Sequence, residues 1–149
     1  MVEIITIEGH NLTVNNVTFN GAVLNAIGND GGTQDPYTLF TVTGVVAVKI
    51  FAVCSTDVAS TTGTEAVGTT LSPTGLIGTT TATAIDANEI WWDTTPDASV
   101  ELFSVLVENI ISQSIIMTTA TANVTGGVVK FYCLWRPISP GATVVSTGV

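Results

Sequence analysis

The sequence predicts an all-β protein, a jelly-roll-like or other antiparallel β-sandwich, and three observations point there. Thr, Val and Ile are abundant while Lys, Arg, Glu and Gln are scarce. β-Branched side chains lose rotamer freedom in a helix but fit a pleated surface. Turn-forming clusters recur at short intervals, among them Asn20-Gly21, Gly28-Asn29-Asp30-Gly31-Gly32, Asp35-Pro36, Ser72-Pro73, Gly126-Gly127 and Pro140-Gly141. Two long apolar segments also alternate with the period of two that a strand imposes. Short strands between frequent turns build sandwiches and barrels.

At 149 residues the chain suits one domain and is long enough to bury its own core. Residues 1–36 read as an N-terminal arm or edge strands, and residues 37–149 as the β-sandwich proper. In the first part, Glu3 to Ile7 and Leu12 to Phe19 are extended pieces, followed by the Gly-rich loop. Either an arm that orders against a neighbouring subunit or an ordinary edge strand fits them. Tyr37 to Cys54 is strongly β, with a bend or change of partner at Gly44. Beyond it, Val46, Val48, Ile50, Ala52 and Cys54 are expected to face the core. Val45, Ala47, Lys49, Phe51 and Val53 form a second face that is apolar apart from Lys49, as in a strand covered on both sides.

Further strands are expected near Thr64 to Val67, Leu76 to Ala84, Glu89 to Trp92, Val100 to Val107 and Ile115 to Ala122. For Thr95 to Asn109 a short helix is the alternative, because Thr95-Pro96 resembles an N-cap with Pro at the first helical position, and Val100, Phe103, Val107 and Ile110 have roughly helical spacing. Near the C-terminus, Val129, Phe131, Cys133 and Trp135 alternate with Val128, Lys130, Tyr132, Leu134 and Arg136, which turns Cys133 inward like Cys54.

Only 10% of residues are charged, against roughly a quarter in ordinary soluble domains. A surface so poor in charge has the composition of a protein interface, where Lys, Glu and Asp are depleted, and an oligomer or larger assembly is expected. Twelve carboxylates face only Lys49, Lys130 and Arg136, a net charge of −9. Three cations cannot neutralise a phosphate backbone or hold an anionic membrane, so neither nucleic acid nor membrane is an expected partner. The N-terminus lacks a basic n-region, and the uncharged stretch 109–129 is too rich in Thr, Ser, Asn and Gly for a membrane helix. Synthesis in a cytoplasm is expected.

Reactive groups are sparse. Cys54 and Cys133 are expected as buried free thiols, since two distant cysteines make neither a metal cluster nor a disulfide framework. His10 is the one histidine, expected as a solvated or interface residue rather than a general base, and no Gly-x-Ser-x-Gly or phosphate-loop signature occurs. The acidic run Asp86 to Asp97 reads as a solvated turn, because Ca²⁺ requires six to eight converging oxygens. Trp91 and Trp92 must point to opposite sides of a strand, leaving one for solvent or a partner unless the domain's own loops cover both. Asn11, Asn16 and Asn123 open Asn-x-Thr triplets, attributed to Thr abundance. No catalytic, cofactor-binding or metal-ligating set is predicted, and no enzyme.

Val42 to Cys54, then Ile85-Asp86-Ala87-Asn88-Glu89-Ile90-Trp91 within Ala82 to Asp97, then Phe131-Tyr132-Cys133-Leu134-Trp135-Arg136-Pro137 resemble small virion-associated proteins of tailed bacteriophages, over roughly residues 40 to 138. The resemblance implies a capsid decoration or cement protein. Such a protein is a small β domain, often a homotrimer, that sits on the capsid surface of the virion and bridges neighbouring major capsid protein subunits. It carries over no residue-level site. The first forty residues lie outside the likeness and, if they form an arm, are expected to make the capsid contact. A tail, neck or fibre component has the same chemistry. A host-surface carbohydrate-binding module is the alternative from a different class and would need an aromatic platform.

Overall fold

Period-two alternation in the longest apolar segments produces two long strands that lie side by side. In the computed structural model, which describes residues 6–148, the strands are β1 (Thr6–Ile7), β2 (His10–Thr18), β3 (Tyr37–Thr43), β4 (Val46–Ser60), β5 (Thr64–Gly68), β6 (Ile77–Thr81), β7 (Ile90–Trp91), β8 (Asn109–Ile111), β9 (Ile115–Ala120), β10 (Val124–Pro137) and β11 (Thr143–Ser146). All pairings are antiparallel. The first sheet runs β1-β2-β10-β4-β7, with β8 also on β4; the second runs β11-β3-β9-β5-β6. The fold is an antiparallel β-sandwich. Among the described residues, no helix is long and apolar enough to cross a membrane.

The register of β4 on β10 explains the core. Val48 lies opposite Trp135, Ile50 opposite Cys133, Ala52 opposite Phe131 and Cys54 opposite Val129. The two sets of residues expected to face inward therefore form one continuous surface. Leu39, Phe40, Val67, Ile77, Ile115, Met117 and Val144 of the second sheet close on it, all buried. Trp91 is fully buried beside Phe131, with ring centroids 5.6 Å apart at 61°, an edge-to-face arrangement favoured by the aromatic quadrupole. Each such side chain contributes about 1.5–3 kcal/mol by leaving water.

Side-chain hydrogen bonds join the sheets at both seams. On one side Thr13 Oγ1 donates to the Val144 carbonyl at 3.1 Å and accepts from Trp135 Nε1 at 2.9 Å, while Asn15 Nδ2 donates to the Leu39 carbonyl at 2.8 Å. On the other, Trp91 Nε1 donates to Thr80 Oγ1 at 2.9 Å. Polar groups inside a dry seam cost free energy unless paired, so these bonds also fix how the sheets face each other.

Two glycines answer to geometry. Gly44 has φ +75° and stands where the chain leaves β3 in the second sheet for β4 in the first, so the expected bend is a crossing between layers. Gly127 has φ +114°, and a Cβ there would lie 2.7 Å from the Val58 Cα. It sits in the irregular start of the β4–β10 ladder, where the register shifts around Gly126 and Val128.

The structure corrects several expectations. Residues 10–18 are not an arm: β2 pairs along its length with β10, and Val17 and Phe19 enter the core. Residues 6–18 instead form the β1–β2 hairpin at one end of the first sheet, while Glu3 to Ile5 lie outside the described residues. Val100 to Val107 is neither strand nor α-helix, its only regular piece being a 3-10 turn over Phe103–Val105. Pro96 is buried, but no apolar face organises the residues after it into helical turns. Strands β8 and β11 were not expected, being three and four residues long.

Candidate docking surface

β7 and β8 share one edge of β4. Trp91 lies opposite Ala52 and Asn109 opposite Val48, so only Lys49, Ile50 and Phe51 separate the two pairings on β4. Between them the chain makes an excursion of 17 residues, 92–108. Loops of that length without regular structure are uncommon in compact domains and usually serve a function.

The excursion crosses the outer face of the first sheet, which is itself apolar. Phe51 and Tyr132 stack there at 5.0 Å, 6° from parallel, and Leu134 is buried although it points away from the core. All three cations of the chain belong to this face. Lys49 Nζ lies 5.3 Å from the Phe103 ring centroid and Lys130 Nζ 5.4 Å from that of Tyr132, distances at which a cation is attracted by an aromatic face. Arg136 fastens the far end of the excursion by donating to Glu108 from Nη2 at 2.6 Å and from Nε at 3.1 Å.

His10 completes that fastening. Its Nε2 meets Glu108 Oε2, so Glu108 ties the excursion to β2 and β10 at once. The Arg136 and His10 hydrogen bonds hold the Glu108 carboxyl down at about 2. His10 is only 7% exposed, which corrects its expected place as a solvated or interface residue. Nothing in the local sequence reveals this, because its partner is 98 residues away.

The fastening leaves several of the excursion's own apolar side chains outward. Val100 is 82% exposed, Leu102 72%, Val107 71% and Ile110, just beyond, 73%. Beneath, an apolar gap of about 160 Å³ lies between Phe51, Ile90 and Trp92 on one side and Leu102, Phe103 and Leu106 on the other. A larger cleft of about 320 Å³ lies between β8 and residues 69–76, with Leu71 and Ile110 at its rim. Where exposed apolar side chains gather into a large patch, the patch usually makes a contact.

The second sheet offers a face of another type. Its strands contain one charged residue, Glu65, and that side chain is buried. Thr41, Thr43, Thr79, Thr81, Thr143 and Val145 are exposed on its outer side.

The other residues singled out by the sequence are engaged within the fold. Trp91 is buried and bonded to Thr80, and Trp92 is half-buried against the excursion, so the pair offers no open platform for a sugar ring. In the acidic run, Glu89 Oε2 accepts from the Asp86 amide and Asp93 Oδ1 from that of Thr95. These carboxylates cap turns. Among the described residues no group of three or more His, Cys, Asp or Glu side chains could hold a metal ion. Cys54 and Cys133 are buried free thiols; burial pushes Cys54 up to about 11 and Cys133 higher still, which removes the thiolate that reactivity needs. No protein-family model, curated protein or solved structure matches the chain.

Proposed function

We propose that the protein is a structural component of a tailed-bacteriophage virion, a capsid decoration protein that binds and stabilises the assembled shell as a homo-oligomer, with a trimer expected. One observation carries this reading: a sandwich whose core is complete without them displays Val100, Leu102 and Val107 on a pinned excursion and Ile110 on the strand that follows it. Clamping neighbouring major capsid subunits requires apolar contact area and no chemistry, and a protein that binds the assembled shell better than separated subunits stabilises it by mass action. With β2 built into the first sheet, the shell contact is assigned to the excursion instead of an N-terminal arm.

The test is binding of the purified protein to shells stripped of it, with the molar mass measured by light scattering across a dilution series. The wild type is expected to rebind and to raise the shell's melting temperature. A Val100→Ser/Leu102→Ser/Val107→Ser variant is expected to keep its fold and lose rebinding. Equal rebinding by the variant would remove the excursion from the contact, and failure of the wild type on intact stripped shells would exclude the decoration role.

A further inference from the structure

Among the described residues, Glu65 is the one carboxylate turned into the sandwich. It is fully buried on β5, opposite Thr80 of β6 and Thr119 of β9. Thr119 Oγ1 donates to Glu65 Oε1 at 2.7 Å, and Glu65 Oε2 has no partner among the described residues. The same Thr119 donates its backbone N–H to Asp35 Oδ1 at 3.0 Å, and Asp35 Oδ2 accepts from the Gly31 amide at 2.9 Å. Thr119 thus links a buried carboxyl to the last turn of the Gly-rich loop.

Elsewhere that loop is held separately. Asn29 Nδ2 donates to the Gly21 carbonyl at 3.0 Å and the Asp30 amide to Asn123 Oδ1 at 3.0 Å. Thr33 and Gln34 bond only within the loop, to Asn25. Residues 31–36 therefore rest on the second sheet through Asp35. We propose that Glu65, Thr119 and Asp35 form a pH-operated latch, which holds residues 31–36 on the sheet while Glu65 is protonated and releases them when it ionises.

The groups facing Glu65 are two neutral hydroxyls, Thr80 and Thr119, and two acids of the loop, Asp35 and Asp30. None of them compensates a negative charge. Burial, opposed in part by the Thr119 hydrogen bond and reinforced by Asp35 and Asp30, pushes the Glu65 carboxyl up to about 8. An ionised Glu65 sets a second carboxylate against Asp35 in a dry site with one oxygen unbonded, and the available relief is to admit water by lifting the loop. In the lifted form the carboxyl returns to its ordinary value of 4.5. The released population then grows roughly tenfold per pH unit between those two values and levels off above the higher one.

Amide hydrogen exchange of the full chain from pH 5 to 9, corrected for intrinsic rates, tests this. Protection at Gly31 and Thr119 is expected to fall roughly tenfold per unit up to about pH 8 and then level, with both amides exchanging much faster than Phe131 in the core. In Glu65→Gln, which keeps the acceptor for Thr119, their protection is expected to stay flat. A carbon-detected titration of Glu65 in the wild type supplies a readout that does not depend on the variant folding. Its midpoint is expected near 8, and lower in Asp35→Asn. A midpoint in the ordinary carboxylate range, the same fall in Glu65→Gln, or exchange of Gly31 and Thr119 no faster than Phe131 would each overturn the latch.

Discussion

The β4–β10 ladder and the excursion 92–108 are both rich in apolar residues, yet the ladder supplies much of the core while the excursion leaves Val100, Leu102 and Val107 in water. In the ladder, side chains alternate, so every second residue reaches one face and the register brings inward sets together. In the excursion, Val100, Leu102, Phe103 and Val107 follow neither the period of a strand nor that of a helix that packs, and Val100, Leu102 and Val107 keep most of their surface in water. Hydrophobicity supplies the drive for burial; periodicity decides whether a segment can satisfy it within its own domain.

The sharpest way to break the comparison is one truncation in each region. Phe131→Ala should cost about 3–5 kcal/mol in urea unfolding, through lost transfer free energy and a cavity beside Trp91. Phe103→Ala, on a side chain already 36% exposed, should cost less than about 1 kcal/mol. Equal losses would mean that the excursion belongs to the core.

Next in size is a pH effect confined to the second sheet. The Glu65 carboxyl is raised from 4.5 to about 8 in the folded chain, so between those values the folded form binds more protons than the unfolded one. The Glu65 contribution to stability should be fully present below pH 4.5 and decline to a floor above pH 8, by on the order of a few kcal/mol. Urea unfolding at pH 5 and 8.5 should show this for the wild type, whereas Glu65→Gln should lose most of the difference.

The contrast between ladder and excursion also separates the legible parts of the fold from the rest. The facing of Val48, Ile50, Ala52, Phe131 and Cys133 could be read directly, because alternation is a local signal. Gly44 announced a discontinuity, though not that the chain changes sheets there. The hydrogen bond of His10 with Glu108 and the burial of Glu65 could not be read. In each, one chemical group is placed by residues 98 and 54 positions away, and a lone Glu between Thr64 and Ala66 looks like any strand residue turned to solvent. The excursion misled for a related reason: its residues suggested a strand, or a helix starting at Thr95-Pro96, but long-range contacts hold it, the Ala98 carbonyl to the Ile90 amide and Glu108 to Arg136 and His10.

Smaller effects sharpen the picture of that pin. Glu108 is held at about 2 by Arg136 and His10, so its contribution is present above its ordinary 4.5 and fades as pH falls toward 2. Glu108→Gln should cost at most about 1 kcal/mol at neutral pH, as for other partly exposed ion pairs, and the wild type should converge on the variant near pH 2. Smallest of all, Val100→Ser/Leu102→Ser/Val107→Ser should change stability by no more than about 0.5 kcal/mol per site. A large loss there would transfer those side chains from the docking surface to the core.

The interrupted edge of β4 has a consequence for how such a molecule can diversify. The excursion leaves opposite Ala52 and returns opposite Val48, so its ends are held about 14 Å apart by the rise of one strand. Closing a longer loop across a fixed span costs only about 0.6 kcal/mol per doubling of length. The sandwich therefore serves as a display frame, in which outward positions such as Val100, Leu102 and Val107 can be rewritten while the frame holds the excursion through Ala98, Phe103 and Glu108.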